Sequence, residues 1–256
     1  KHSNRTRSKN KMKLDKVYII TLDLSDENKK SILERLNLMG VPNETTYIIF
    51  DGVNGRELFS TQQGRLDYGI KFYDSWKLND SNEFWNRGVT SGEAGGMCSH
   101  IKVWEDAYKN GYENILILED DYNPEQPFPW DVCNELENYE YDILFLSRKL
   151  QGGHSDVEIG FKNFVVPGYS YQTHSYVVSK SGIKKLVETH LPTLKQNIVV
   201  SDEFLPATYT THPREDIRSM YQRNISALAY KHNIITQLRF EAIGNSLTSP
   251  VEGIDY

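Results

Sequence analysis

The chain has 256 residues, of which 38% are hydrophobic and 12% aromatic, and its formal net charge at pH 7 is −6. This composition excludes an intrinsically disordered chain and predicts one α/β domain, with two small domains as the alternative. No run of about 18 apolar residues occurs, so we expect no membrane-spanning helix.

The first sixteen residues carry seven of the 29 basic side chains and one of the 35 acidic ones. They lack apolar periodicity, so we predict a disordered basic lead-in over residues 1–16 and a single domain over 17–256. The remaining body has 22 basic and 34 acidic residues, a net charge of −12, which argues against nucleic acid as a partner. Cys98 and Cys133 are compatible with two buried thiols or with one disulfide, so they do not identify the redox compartment.

The first elements predict a βαβ unit. An apolar run over 17–22 predicts a strand, Ser25 or Asp23 caps a helix that ends at Gly40, and residues 46–50 predict a second strand. The two strands form a parallel pair, so Thr21 and Leu22 lie on the same edge as the residues that follow the second strand, Asp51 and Gly52. Asp51 is either an acceptor for a ribose hydroxyl or a uracil N–H, or a turn residue before glycine.

Residues 53–88 form a long polar and aromatic connection, and long connections are often functional. Its aromatic side chains either stack on a sugar or fill a small satellite core; the latter is favoured. They are Tyr68, Phe72, Tyr73, Trp76, Phe84 and Trp85.

A helix is predicted from Thr90 or Ser91 to Gly111, with Met97, Ile101, Trp104 and Tyr108 along one face. Glycines in its first turns allow close approach of another backbone or of a diphosphate. His100 is either a polar residue that faces the core or a contact to a donor substrate.

The helix leads into the most informative stretch of the chain. Four aliphatic residues, 115–118, predict a strand buried on both faces, and the carboxylates of Glu119, Asp120 and Asp121 follow it directly. Open α/β sheets bind ligands at the carboxyl ends of their strands, and hard divalent cations prefer oxygen ligands. The favoured interpretation is a site for a metal ion and a diphosphate. A strand that simply ends in solvated acids is the main alternative. A nucleoside triphosphatase would need a Gly-x-x-x-x-Gly-Lys-Ser/Thr loop, which is missing.

Later apolar runs predict strands over 141–146, 164–166 and 175–178, and a helix over 182–189 that Leu191 and Pro192 terminate. A further apolar run, 198–200, delivers a second pair of acids, Asp202 and Glu203. These either serve chemistry or interact with the dipole at a helix start.

Taken together, these segments resemble glycosyltransferase family 25, the lipooligosaccharide and collagen sugar transferases. The matching segments occur in order over about residues 17–215. They are 18–23, 50–52, 91–96 with 99–105, 117–121, 141–146, 175–179 and 202–206. The last of these, followed by Thr211-His212-Pro213, is more similar to the collagen hydroxylysine galactosyltransferases, whose domains are in tandem. The chain departs from the family pattern at Gly96, Cys98 and Gln172.

The resemblance implies a GT-A type fold, with a Rossmann-like, mostly parallel sheet flanked by helices. It also implies a UDP-sugar donor, Mn²⁺ or Mg²⁺, and inversion at the anomeric carbon. In this hypothesis Glu119 and Asp121 are the metal ligands of an Asp-x-Asp-type motif, and Asp202 or Glu203 is the general base, with Asp202 preferred. The donor is contacted by a larger set of residues: Thr21, Leu22, Asp51, Gly52, Ser99, His100 and Asp120.

The expected activity is transfer of galactose or glucose to an acceptor hydroxyl, with hydroxylysine of a collagen-like protein as the leading acceptor. The alternatives are a lipooligosaccharide or other glycan acceptor, and a non-catalytic module that binds a sugar nucleotide. A nucleotidyltransferase would need a basic glycine-rich loop early in the chain, where residues 22–25 provide none. A collagen-modifying host enzyme would lie in the lumen of the endoplasmic reticulum, and a bacterial or viral enzyme in the cytoplasm.

Overall fold

The computed structural model describes residues 12–42, 44–77 and 88–238, and the side chains of all of these except residues 76 and 77. The strands in chain order are β1 (Lys16–Thr21), β2 (Thr46–Asp51), β3 (Asn114–Glu119), β4 (Tyr122–Pro124), β5 (Ile143–Phe145), β6 (Lys149–Leu150), β7 (Phe164–Val165), β8 (Ser170–Tyr171), β9 (Ser175–Ser179), β10 (Ala227–Tyr230) and β11 (Ile235–Gln237). The α-helices are α1 (Asp26–Met39), α2 (Gly55–Leu58), α3 (Gln62–Tyr68), α4 (Ser91–Asn110), α5 (Lys180–Lys184), α6 (Leu191–Gln196), α7 (Ser201–Tyr209) and α8 (Glu215–Met220). Short 3₁₀ helices cover Asp74–Lys77 and Trp130–Leu136.

Seven strands form the central sheet in the order β2-β1-β3-β9-β5-β10-β7. Strands β1, β2, β3, β5 and β10 run in one direction, whereas β9 and β7 run antiparallel to their neighbours. Two small sheets pair β11 with β4 and β6 with β8. The predicted α/β class with a mostly parallel sheet is therefore confirmed, and the carboxyl ends of β1, β2, β3 and β5 share one edge.

The middle of the sheet is buried on both faces, and the side chains of each strand alternate between these faces. In β3, Ile115 and Ile117 join a core cluster that includes α4, whereas Leu116 and Leu118 join the cluster on the opposite face, where α1 packs. All four side chains are fully buried. These four residues span the buried width of the sheet. The acids that follow them therefore lie at its edge.

Helix boundaries follow their capping residues. Ser25 caps α1 and Gly40, at φ 65°, ends it. Thr90 and Glu93 form a capping box at the start of α4, and Gly111 ends this helix at φ 68°. These boundaries confirm the sequence predictions.

Two other predictions need correction. The predicted lead-in is too long, because Leu14 is buried and Lys16 begins β1; residues 1–11 lie outside the described residues. The helix that starts at Lys180 does not end at Pro192. A wide π turn (Lys185–His190) leads into α6, where proline occupies the first turn and its missing N–H costs nothing.

The structure also settles the state of the cysteines and of the aromatic connection. Cys98 and Cys133 are both free and buried. Phe59 is fully buried and contacts Phe72, which packs against the main core, so these rings extend that core and do not form the separate satellite cluster that was predicted. Phe84 and Trp85 lie outside the described residues. Within the described ranges, no helix combines the length and apolarity needed to cross a membrane.

One glycine contact fixes the loop after β2 against α4. A Cβ added at Gly95 would lie 2.5 Å from the backbone nitrogen of Gly55 and 2.6 Å from the carbonyl oxygen of Val53. A Cβ at the neighbouring Gly96 would meet nothing within 4 Å. Of the two uses predicted for these glycines, Gly95 thus serves the approach of another backbone.

This contrast yields a stability prediction. Gly95→Ala should lower the free energy of unfolding by about 1–3 kcal/mol, because two backbone segments must separate. Gly96→Ala should raise it by about 0.5–1 kcal/mol, because alanine loses less backbone entropy in a helix. Urea unfolding of both variants measures the difference, and equal midpoints would contradict the close contact.

Candidate active site

The acids that follow β3 lie in three different environments. Glu119 is the last residue of the strand, and its side chain is 30% exposed. Asp120 is partly exposed, and Asp121 is 7% exposed.

Glu119 is held by two donors that act on the same oxygen. Its Oε1 lies 3.0 Å from His100 Nε2 and accepts a hydrogen bond of 3.0 Å from Thr173 Oγ1. Burial raises the pKa of Glu119, but His100, together with His174 and Thr173, outweighs that effect and holds the pKa below its usual value. Among the described residues, no hydrogen bond to Oε2 is found, so this oxygen can accept a ligand.

His100 is itself held by the core. The indole N–H of Trp104 donates to the Tyr176 hydroxyl oxygen at 3.2 Å, and that hydroxyl lies 2.8 Å from His100 Nδ1. With the indole as donor, the phenolic hydrogen points to Nδ1, so the ring proton lies on Nε2 and is donated to Glu119. His100 is 2% exposed, so the predicted donor contact is replaced by a role in orienting Glu119.

Asp120 faces the first strand. Its Oδ2 accepts a hydrogen bond of 2.5 Å from Thr21 Oγ1, and its backbone oxygen accepts one of 2.8 Å from Arg35. Burial raises the pKa of Asp120, and the neighbouring Glu119 charge adds to the rise, against the Thr21 hydrogen bond and Arg35. Thr21 is fully buried and also accepts from Asn28 at 3.1 Å. It therefore positions Asp120, which corrects its predicted role as a direct donor contact.

Asp121 is directed toward the last strand. Its Oδ2 accepts a hydrogen bond of 2.9 Å from Gln237 Nε2, and its backbone oxygen accepts one of 2.7 Å from the N–H of Leu238. Because β4 starts immediately afterwards and pairs with β11, Asp121 ties the acid cluster to residues more than a hundred positions away.

The second pair of acids begins α7, and the structure separates the two. Glu203 is 1% exposed and accepts from Tyr169 at 2.5 Å, from Tyr171 at 2.8 Å and from His212 Nε2 at 2.5 Å. The backbone N–H of Arg214 donates to His212 Nδ1 at 3.1 Å, so the ring proton lies on Nε2. Glu203 is therefore saturated and shielded from solvent, which corrects its assignment as a candidate base.

Asp202 is partly exposed at the edge of the sheet. Its Oδ1 accepts a hydrogen bond of 3.1 Å from the backbone N–H of Gln172. Burial raises the pKa of Asp202 to about 7, and the negative charges of Glu119 and Glu203 contribute to the rise. A carboxyl group with a pKa near neutrality is suited to proton transfer.

The chemistry of this cluster fits a divalent cation. Burial raises the pKa values of Asp120 and Asp202, and the nearby negative charge of Glu119 adds to both, so a cation here would be favoured. In the described part of the chain, no three His, Cys, Asp or Glu side chains converge as a complete ligand set. A cation here would therefore take one or two carboxylates and complete its shell with substrate oxygens and water, as Mg²⁺ often does.

A cleft of ≈ 420 Å³ opens beside the ends of β1 and β2. Leu22, Asp51 and Gly52 line it together, as predicted, and Lys102 contributes a cation. The remaining lining residues are Val53, Asn54, Glu57, Leu58 and Tyr68. Tyr68, which is 39% exposed, thus borders a ligand-sized space, whereas Phe72 packs against the core.

Ser99 holds the loop that lines this cleft at Val53. Its hydroxyl accepts from the N–H of Val53 and donates to the carbonyl oxygen of Gly95, both at 2.8 Å. It is 3% exposed, so it holds the loop after Gly52 in place and does not reach a ligand, which corrects its predicted role.

Several residues of the candidate site were not predicted from the sequence. Arg35, Thr173 and Tyr176 contact its acids or their partners, and His174 is fully buried with Nε2 2.9 Å from the carbonyl oxygen of Ile235. The sequence feature that could have identified them is the polar run 172–175. It leads into the apolar strand β9, whose amino end pairs with the carboxyl end of β3.

These features define an α/β protein whose candidate ligand site lies at the carboxyl edge of the sheet. The chain belongs to glycosyltransferase family 25: the family model described as "Glycosyltransferase family 25 (LPS biosynthesis protein)" matches residues 14–205. This confirms the resemblance, and the architecture agrees with the GT-A type domain that it implied.

Several curated relatives are similar to the chain. A glycosyltransferase 25 family member of Aedes aegypti is 30% identical over 225 residues, covering 86% of this chain and 35% of the relative. Procollagen galactosyltransferase 1-A of Xenopus laevis is 31% identical over 218 residues, covering 82% and 34%. The human inactive glycosyltransferase 25 family member 3 is 27% identical, also covering 82% and 34%. The chain thus spans about a third of the length of these relatives.

Solved structures overlap only weakly. A glycosyltransferase involved in glycosylation of the major capsid of PBCV-1 gives a TM-score of 0.32 at 10% identity, covering 92% of this chain and 95% of that one. A mannose-1-phosphate geranyltransferase from Thermus thermophilus gives 0.34 at 13% identity, covering 86% and 74%. These values are too low to support an argument.

The raised pKa of Asp202 predicts a pH-dependent stability. The folded protein keeps this proton up to about pH 7, whereas the unfolded chain releases it near the ordinary value of 3.8, so the group's contribution to stability falls as pH rises between these values. Asp202→Asn removes this dependence. Relative to wild type in EDTA, the variant should gain on the order of 1–2 kcal/mol between pH 4.5 and pH 8, after allowance for partial exposure. Urea unfolding at both pH values measures it; a difference that does not change with pH would contradict the raised pKa.

Proposed function

We propose that this chain is the catalytic domain of a glycosyltransferase that moves a hexose from a UDP-sugar to an acceptor hydroxyl, with inversion. The observation that carries the proposal is the placement of Glu119 and Asp202 at one edge of the sheet, in environments that lower the pKa of the first and raise that of the second to about 7. Two carboxyls whose pKa values are moved apart are suited to two different roles.

The donor end is assigned from the cleft beside β1 and β2. Asp51 is exposed there and can accept from a uracil N–H or a ribose hydroxyl, and Gly52 lies beside it in the lining of the cleft. Lys102 brings positive charge near the same end. The diphosphate would then extend toward Glu119 and Asp121.

A divalent cation, Mn²⁺ or Mg²⁺, held by Glu119 and Asp121 would offset the negative charge of the departing UDP. The residues of the chain do the rest. Glu119 stays ionised because His100 and Thr173 donate to it, and Asp121 is fixed by Gln237.

Asp202 is the proposed general base. Its carboxylate would accept the proton of the acceptor hydroxyl as the oxygen attacks the anomeric carbon, on the face opposite the leaving group. Glu203 next to it is saturated by three donors, so it anchors the start of α7.

Galactose on hydroxylysine of a collagen-like protein is the favoured transfer, because one relative is named a procollagen galactosyltransferase. Glucose, and a lipooligosaccharide or other glycan acceptor, are alternatives. A non-catalytic sugar-nucleotide module is the second candidate function, because the human relative is named inactive. Release of UDP from UDP-galactose, UDP-glucose and N-acetylated donors, with hydroxylysine peptides or glycans as acceptors, discriminates among these.

The base assignment is tested by Asp202→Asn. It should lower kcat by about 100-fold or more with little change in UDP affinity, because an amide cannot accept the proton. Asp131→Asn changes an exposed acid remote from the acid cluster and serves as the control. Loss of UDP binding in Asp202→Asn, measured by calorimetry, would make Asp202 a donor ligand and place the base elsewhere.

The metal assignment is tested by Asp121→Asn. The variant should keep its fold but lose Mn²⁺-dependent turnover of the UDP-sugar, because the neutral amide is a poor ligand for a hard cation. Near-ultraviolet circular dichroism checks the fold and UDP release reports turnover. Unchanged turnover would rule out this ligand. Binding of UDP by wild type without transfer or hydrolysis of any donor would favour the non-catalytic module.

A further inference from the structure

Three consecutive residues each hold a different acid of the site. Tyr171 donates its hydroxyl to Glu203 at 2.8 Å, the backbone N–H of Gln172 donates to Asp202 at 3.1 Å, and Thr173 donates its hydroxyl to Glu119 at 3.0 Å. We call Tyr171, Gln172 and Thr173 the 171–173 clamp. It runs from the end of β8 to just before β9.

The three acids belong to two separate elements. Glu119 ends β3, whereas Asp202 and Glu203 lie in the first turn of α7. Thr173 Oγ1 also lies 2.9 Å from Ser201 Oγ at the start of α7. Because Thr173 gives its one hydrogen to a carboxylate, it accepts from Ser201, and a directed hydrogen-bond chain joins α7 to β3.

The backbone of Gln172 has an unusual conformation at its hydrogen bond to Asp202. Its φ is 76°, in the left-handed region that residues with a Cβ rarely adopt. This conformation accompanies an N–H directed at Asp202 while the flanking side chains reach Glu203 and Glu119. Strain of this kind is retained where the surroundings over-determine the geometry, often at active sites.

One end of the clamp is anchored in a rigid, buried cluster. Glu203 also accepts from Tyr169 and His212, and the Tyr169 and His212 rings pack edge to face. Thr173 is 5% exposed. The clamp therefore links a buried carboxylate, Glu203, to the two partly exposed carboxylates of Glu119 and Asp202.

We infer that the 171–173 clamp is a positioning device that sets the separation between the donor-side carboxylate Glu119 and the base Asp202. The inference rests on the proposed function, because this separation must match the distance between the diphosphate and the acceptor hydroxyl. Misplacement of reacting groups by about 1 Å can cost on the order of 100-fold in rate. The residues of the clamp act through the acids and are not assigned contacts with substrate.

Paired variants separate positioning from general stability. Gln172→Val should lower kcat by about 10- to 100-fold, because a β-branched residue resists a positive φ and turns the N–H away. Gln172→Gly adopts that φ freely and should recover most of the loss. Thr173→Val should also lower kcat by at least about tenfold, with Thr173→Ser restoring it.

In these four variants the affinity for UDP alone, measured without metal, should change by less than about threefold, so the loss appears in kcat and in the KM for the acceptor. Equal kcat within each pair, or a loss confined to UDP binding, would overturn the inference. Melting temperatures of each pair show whether a change in stability accounts for the effect.

A second readout does not require turnover. In wild type the Gln172 amide should exchange slowly with deuterium. In Asp202→Ala the amide has no acceptor, so its exchange should be faster by at least about tenfold. The amides of β3 should stay protected in both proteins and serve as the internal control. Identical exchange of the Gln172 amide in both proteins would overturn the clamp. If wild type transfers no sugar but the difference in exchange is observed, the proposed function is refuted. The hydrogen-bonded arrangement of the 171–173 clamp is then still supported.

Discussion

The hydrogen bonds that His100 and Thr173 make to Glu119 are the interactions on which the site depends. An ionised carboxylate at the end of a buried strand is costly unless donors replace the water it has lost. The two donors come from different parts of the chain, α4 and the segment before β9. The Tyr176 hydroxyl and the Trp104 indole in turn fix the His100 ring, so the core of the protein determines where this charge lies.

The neighbouring acids show how environment separates side chains of the same chemistry. Glu119 has a lowered pKa because its donors outweigh burial, and Asp202 has a raised one because burial is reinforced by the charge of Glu119. Glu203 lies one residue from Asp202, but three donors enclose it. The same edge of the sheet therefore offers a charged carboxylate suited to a cation, a carboxyl suited to proton transfer, and a buried anchor. Arg35, Thr21 and Gln237 hold the two acids that follow β3, Asp120 and Asp121, in fixed directions.

Local signals predicted the elements whose determinants are local. The capping box of Thr90 and Glu93, the glycine that ends α1 and the doubly buried β3 can all be read from neighbouring residues, and they place the acids at the sheet edge.

Strand β10 was missed because Ala227–Tyr230 is short and has no alternating pattern; it is a strand because both of its neighbours pair with it. The roles of Ser99 and His100 were misassigned because only the packing of α4 shows that their hydroxyl and ring turn to Val53 and Glu119. The distinction between Asp202 and Glu203, and the contribution of Gln172, depend on a segment thirty residues away in sequence and could not be derived from spacing.

The most direct measurement of the central claim is a crystal structure of this chain with UDP and Mn²⁺. The account predicts the uracil in the cleft beside Asp51, the diphosphate and the ion against Glu119 and Asp121, and the Asp202 carboxylate facing the open side where an acceptor would enter. A structure in which Glu119 and Asp121 turn away from both the ion and the diphosphate would contradict it.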